Sequence, residues 1–413
     1  MFNLERVGEK AKEMSVYAAG LSNGEKNKVL LACADALIEN VGYILEENKK
    51  DMGALDEARP SYFRDRLLLN PQRIESMAMG LRKIAALDDP TGETLYIKKM
   101  DNGLQIGERR VPLGVVAIIY EARPNVTVDT FGLCFKSGNA GILRGGSEAF
   151  NSNAALVNVL QQVITANGHP QELVQLVTDT SRQVARDLMR LNKYVDVLIP
   201  RGGRDLIKTT IENSTVPTIE TGVGNCHIFV DKTANLERSV DIVINAKVSR
   251  PGVCNSLEKL LVHADLADSF LPKVCKALDE LGVEIRGDEV VQKVMPLSKS
   301  ASESDWYEEY LDMIIGIKVV GDIDQAISHI TKYSSGHSEA ILTESYKNAD
   351  RFINEVDSAA VYVNASTRFT DGEEFGLGAE IGISTQKLHV RGPMGLKALT
   401  TTKFVVFGGG QTR

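Results

Sequence analysis

The sequence predicts an α/β protein built on open parallel sheets of Rossmann type. Three observations lead there. From Val115 to about Asp231, short β-branched runs alternate with helical stretches, with glycine-rich turns between them. A second α/β series runs from Ala234 to about Asn364. At 413 residues, the chain is too long for one ordinary core and suits two or three domains.

Composition narrows the class. Hydrophobic residues at 43% and charged residues at 25% are the balance of a soluble globular protein. A net charge of -8 argues against nucleic-acid binding as the main function. The five cysteines are odd in number and irregularly spaced, so they read as reduced thiols of a cytoplasmic protein. No secretory signal is visible, and the most apolar run, Val115 to Tyr120, is too short to span a bilayer. Six scattered histidines predict no metal site.

The stretch to about Leu87 reads as helical. In Lys28–Ile38 apolar residues recur at three and four, which places Cys33 on a core face. Two β-capable runs then flank Asp101-Asn102-Gly103, a hairpin turn because Asn and Gly tolerate positive φ. Such an arm is either an oligomer contact or an ordinary surface hairpin. Strands follow at Ala140–Leu143, Leu173–Val177 and Tyr194–Ile199, with helices from Ser147 towards Ala166, Ser181 to Leu191, and Arg204 to about Asn213. In the second series, strands are expected at Leu260–Val262, Ile315–Val320, Ala340–Leu342 and Ala360–Val363, and a last one at Thr402–Phe407.

Two turns, Arg144-Gly145-Gly146 and Arg201-Gly202-Gly203, open helices after strands and suit a pyrophosphate, because helix-start N–H groups and the helix dipole favour anions. Neither is a full dinucleotide fingerprint, and Gly222-Val223-Gly224 lacks the third glycine. Cys254 differs from the other cysteines. It lies in a turn-forming stretch with Lys247 and Arg250, whose charges would favour a thiolate. Glu220, read as ending a strand at the mouth of a sheet, and Asn125, an amide donor after another strand, complete an acyl-transfer or aldehyde site.

These stretches resemble the aldehyde dehydrogenase superfamily. Pro112-Leu113-Gly114-Val115-Val116 through Asn125, Ser137 through Glu148, the Glu220 segment, and Cys254 34 residues beyond it all match its motifs. The departures, Arg123-Pro124-Asn125-Val126 and Arg144-Gly145, resemble the gamma-glutamyl phosphate reductase family within it, over nearly the whole chain and in the free-standing form. That resemblance implies a fold of two Rossmann-type α/β domains with a small protruding β-hairpin for oligomerisation. The cofactor-binding domain would span 1–93 and 115–225, the catalytic domain 226–395, and the oligomerisation element 94–114 and 396–413. It implies NADPH-dependent reduction of L-glutamyl 5-phosphate to L-glutamate 5-semialdehyde and phosphate through a Cys254 thioester, a step of proline biosynthesis. Asn125 would serve the oxyanion, and Glu220 would tune the thiol or position the cofactor. Arg144, Gly145, Gly146, Gly202, Gly203 and Glu309 would hold NADPH. Arg123, Arg250 and Arg368 would hold the anionic substrate, since Arg matches phosphate and carboxylate bidentately. His227 and His389 read as satisfied polar residues. A homo-oligomer (dimer or tetramer) and an upstream glutamate kinase are the expected partners. The competing reading is an NAD(P)-dependent dehydrogenase oxidising a small aldehyde.

Overall fold

The computed structural model describes residues 2–56, 59 and 61–413. They form two compact units, Met1–Thr221 with Gly376–Gly382 and Met394–Arg413, and Gly222–Phe375 with Ile383–Pro393.

The first unit opens with helices α1 (Leu4–Ala19), α2 (Asn23–Glu39), α3 (Val41–Ala54), α4 (Ser61–Leu67) and α5 (Pro71–Ala86). Local chemistry sets their starts. Ser22 and Glu25 form a reciprocal capping box on α2, and Asn70 caps α5 with Pro71 in its first turn. Cys33 is fully buried, as its place on the apolar face requires. Strands β1 (Thr94–Lys99) and β2 (Gln105–Pro112) form the antiparallel hairpin, turned at Gly103 with φ +87°.

Next come β3 (Val115–Tyr120), α6 (Pro124–Lys136), β4 (Ala140–Gly145), α7 (Phe150–Ala166), β5 (Val174–Leu176), α8 (Arg182–Leu188), β6 (Val197–Arg201) and α9 (Arg204–Asn213). The strands make a parallel sheet of order β5-β4-β3-β6. All six residues of β3 are buried, which is why it reads as an unbroken apolar run. The helix expected from Ser147 begins as a short 3-10 turn, with α geometry from Phe150. Asn139, from a matched motif, has a structural job. Its side chain accepts from the Gly114 N–H at 2.7 Å and donates to the Leu399 carbonyl at 2.9 Å.

The second unit holds β7 (Cys226–Val230), α10 (Leu236–Val248), β8 (Leu257–His263), α11 (Leu271–Glu280), β9 (Glu284–Gly287), α12 (Glu289–Val294) and β10 (Lys299–Ser300). It continues with α13 (Glu303–Tyr307), β11 (Ile314–Val320), α14 (Ile323–Tyr333), β12 (Ser338–Leu342), α15 (Tyr346–Glu355) and β13 (Ala360–Val363). These strands form one parallel sheet of order β10-β9-β11-β8-β7-β12-β13. Strand β7, absent from the sequence reading, is wholly buried near the sheet centre. A short antiparallel pair, β14 (Ile383–Ser384) and β15 (Gly392–Pro393), follows.

The chain ends in the first unit with β16 (Thr400–Phe407), which pairs antiparallel with β2 along its whole length. The resulting sheet, β1-β2-β16, exposes Ile97, Phe404, Val406 and Phe407.

Candidate active site

Cys254 sits in the turn between α10 and β8, half-buried, while the other four cysteines are buried. Several contacts fix its peptide. Gly224 packs so closely that a Cβ there would overlap the Cys254 carbonyl. The Cys226 thiol donates to that carbonyl at 3.2 Å, and burial pushes this thiol well above its ordinary pKa, so it remains a protonated donor. The Gly224 N–H in turn donates to Glu309 Oε1 at 2.6 Å. Two of the predicted residues, Cys254 and Glu309, are thus joined through a glycine.

Asn255 anchors the same turn from its other side. Its backbone carbonyl accepts from Thr367 Oγ1 at 2.8 Å, and its amide donates to the carbonyls of Arg368 and Thr370 at 3.2 and 2.9 Å. Its Oδ1 accepts from Arg368 Nη1, while Arg368 Nε donates to Ser249 Oγ at 3.2 Å. Burial lowers the Arg368 pKa, as does the nearby charge of Arg250, which is itself exposed.

Lys247 does not play the part expected of it. It is fully buried at the end of α10, and its charge faces Glu258 Oε1 at 3.3 Å rather than Cys254. Glu258 also accepts from the Tyr310 N–H at 3.1 Å, and Lys259 donates to the Glu308 carbonyl at 2.7 Å. The buried charges therefore hold the segment that carries Glu309. Burial pushes the Glu258 carboxyl up, against the pull of Lys247 and Lys259.

His227 is fully buried, and burial pushes its pKa down to about 3, so the ring is neutral. Its Nδ1 lies 3.2 Å from Glu339 Oε2 without making a hydrogen bond, so the expectation of a satisfied ring fails. The backbone N–H of His227 is the group that donates to Glu339 Oε2, at 2.7 Å. The other histidine, His389, lies in the second unit between β14 and β15.

In the first unit, Asn125 is the exposed residue of the otherwise buried first turn of α6, after Arg123 at the N-cap. Its Nδ2 donates to Asp129 Oδ2 at 3.1 Å. Asp129 is pushed up to about 6 by loss of water, against the pull of this bond and of Arg201. Arg144 Nη2 donates to the Thr180 and Ser181 carbonyls at 2.6 and 3.2 Å. The buried Nε atoms of Arg144 and Arg201, at the carboxyl ends of β4 and β6, make no hydrogen bond.

The two helix starts are not free anion sites. The buried Asp51 carboxylate accepts from the Asn151 and Ser152 N–H groups of α7, at 3.2 and 2.7 Å. The Glu121 carboxylate accepts from the Gly203 N–H ahead of α9, at 2.8 Å. Gly145, Gly146 and Gly202 are places where a Cβ would strike Asn153, Glu148 and Glu121 respectively. An anionic cofactor would therefore meet the arginines at the strand ends more readily than the helix starts.

Glu220 does not end a strand. Near it, pairing is confined to single-residue bridges at Thr218, which meets Leu198, and at Thr221, and Pro217, without an N–H, cannot extend a ladder. Nor does Cys254 lie at carboxyl strand ends, where ligands of open α/β sheets usually bind. Its turn precedes β8, Gly224 precedes β7 and Glu309 precedes β11, all on the amino-terminal side. Sequence reasoning missed Asn255, Cys226 and Asp129. The only signal was their adjacency to residues already singled out. Among the described residues, no cluster of three or more His, Cys, Asp or Glu could hold a metal, and no helix is long and apolar enough to cross a membrane.

A half-buried thiol on a turn held by Gly224, Cys226 and Asn255, with the Arg368 guanidinium bonded to the same turn, is an arrangement suited to acyl transfer. The chain belongs to the aldehyde dehydrogenase family, whose model matches residues 4–312. This makes it an oxidoreductase that acts on a small molecule with a nicotinamide cofactor. Within that family it groups with the gamma-glutamyl phosphate reductases. It is 59% identical over 408 residues to the gamma-glutamyl phosphate reductase of Carboxydothermus hydrogenoformans, covering 98% of each chain. It is 57% identical over 407 residues to that of Clostridium botulinum (strain Eklund 17B / Type B), again covering 98% of each. The crystal structure of the gamma-glutamyl phosphate reductase from Thermotoga maritima matches with a TM-score of 0.95 and 48% identity, over 99% of both chains.

Proposed function

We propose that this protein reduces L-glutamyl 5-phosphate to L-glutamate 5-semialdehyde and inorganic phosphate with NADPH, a step of proline biosynthesis. The observation that carries the reading is full-length identity to the reductases, with Cys254 held on its own clamped turn. The relatives' names favour it over oxidation of a small aldehyde.

The Cys254 thiolate attacks the acyl carbon, the carbon–oxygen bond to phosphate breaks, and phosphate leaves a thioester. Asn125 and the Cys254 N–H donate to the oxyanion, each donor worth roughly 3–4 kcal/mol by analogy with other such sites. Arg123, Arg250 and Arg368 receive the phosphate and carboxylate. Bound NADPH supplies a hydride to the acyl carbon. Departure of the Cys254 sulfur then frees the aldehyde. Glu220 tunes the thiol or positions the cofactor, since activating water here would divert the thioester to hydrolysis.

Arg144 and Glu309 hold the cofactor, Arg144 taking the 2′-phosphate that distinguishes NADPH, while Gly145, Gly146, Gly202 and Gly203 shape the strand-end turns beside it rather than supplying free N–H groups. The unpartnered buried Nε atoms of Arg144 and Arg201 support an anionic ligand at that edge. Residues 1–93 and 115–225 form the cofactor-binding domain and 226–395 the catalytic one. Residues 94–114 and 396–413 build a dimer or tetramer contact, a role supported by exposed Ile97 and Phe404 on a sheet with open edges. The protein works in the cytoplasm, downstream of a glutamate kinase.

The test is NADP reduction by glutamate 5-semialdehyde, with and without inorganic phosphate. Strict phosphate dependence is expected, with Cys254→Ala inactive but still binding NADPH. Turnover without phosphate, or by Cys254→Ala, would overturn the reading.

A further inference from the structure

Arg368 is a fork with part of its capacity already committed. Nε donates to Ser249 and Nη1 to Asn255, while Nη2 makes no hydrogen bond among the described residues. Asn255, next to the nucleophile and only 4% exposed, also donates to two carbonyls of the Arg368 turn and accepts from Thr367. One residue thus ties the Cys254 turn to the 366–370 turn and aims the guanidinium. A guanidinium on a flexible side chain loses rotamer freedom when it binds an anion, and one already held at two nitrogens loses less.

We propose that Asn255 is a positioning residue for substrate specificity: it presents the remaining Arg368 N–H groups to the phosphoryl group that enters and leaves at Cys254. The inference rests on Arg368 being a substrate ligand. Ser249 supports the same guanidinium from the end of α10, where it is exposed and its removal is tolerable for folding.

The experiment is a double-mutant cycle on the KM for inorganic phosphate, in the reverse reaction with NADP and glutamate 5-semialdehyde. Asn255→Ala should raise that KM by about tenfold, as expected for loss of a charge-assisted bond, with the KM for NADP unchanged. Ser249→Ala should raise it by a smaller factor, about threefold. Neither should add to the effect of Arg368→Ala. Equal increases in the presence and absence of Arg368 would mean a merely structural role and overturn the inference. So would a wild-type phosphate KM in Asn255→Ala. If that variant fails to fold, Ser249→Ala decides alone by the same criterion. A wild-type phosphate KM in Arg368→Ala would remove that arginine from the substrate site and the inference with it, while leaving the Cys254 chemistry standing.

Discussion

Gly224→Ala is the sharpest single test of how Cys254, the proposed nucleophile, is held. The added Cβ would lie 2.6 Å from the Cys254 Cα and closer still to its carbonyl, whereas ordinary contact begins at 3.4 Å. The carbonyl oxygen, 1.5 Å from that Cβ, is the nearest atom, so relieving the clash requires a separation of about 1.9 Å, the difference from 3.4 Å. Neither neighbour is the free end of a flexible side chain, so the strain cannot be relieved cheaply. Separation also stretches the 2.6 Å bond from the Gly224 N–H to Glu309 and the 3.2 Å bond from the Cys226 thiol. Overpacking of this kind costs about 1–3 kcal/mol of stability. A reacting atom displaced by about 1 Å can lose on the order of a hundredfold in rate. The assay is the phosphate-dependent reduction of NADP, with iodoacetamide alkylation of Cys254 and thermal unfolding measured in parallel. A folded variant whose kcat stays within about threefold of wild type would refute the claim that this contact sets the nucleophile.

Other perturbations follow from buried or bonded groups. Glu339, fully buried, has its carboxyl pushed up from 4.5 to about 8 by burial, against hydrogen bonds from Ser334 and the His227 N–H. Because the folded value is the higher one, the native state holds its proton more tightly. Stability from this group is full below pH 4.5 and is lost up to pH 8. Glu339→Gln should therefore gain on wild type by up to about 1.4 kcal/mol per pH unit across that window, and a parallel pair of melting curves would refute it. Asp129→Ala frees the Asn125 amide and should lower kcat about tenfold with KM unchanged, while Asp129→Asn, which keeps an acceptor, restores most of it. Equal rates for all three proteins would separate Asp129 from catalysis. Arg144→Ala should raise the KM for NADPH at least tenfold and leave that for NADH nearly unchanged, as steady-state titration of both cofactors would show.

Legibility followed the range of the physics involved. Strands β4, β6 and β8, helices α7 and α9 and the Asn102–Gly103 turn answer to periodicity and φ preference within a few residues, and they stand close to where they were expected. Strand β7 escaped because five buried residues beside a glycine-rich segment carry no period of their own. Glu220 was misplaced for the opposite reason. The apolar run before it looked like a strand, but Pro217 denies it a ladder. Lys247 looked available to Cys254 because it is seven residues away in sequence, yet the α10–β8 packing gives it to Glu258.

The sequence by itself determined the α/β class and carried the likeness to the aldehyde dehydrogenase family from which Cys254 is proposed as nucleophile, because periodicity and motif spacing are carried along the chain. Tertiary structure decided which groups the helix starts and buried charges serve. Asp51 reaches α7 from 100 residues away, and Glu121 reaches Gly203 from 82. It also decided that the clamps on Cys254 are Gly224, Cys226 and the Asn255–Arg368 pair. A hydrogen bond depends on distance and angle in space, and no local pattern encodes which distant acceptor the fold will bring within 3 Å of a donor.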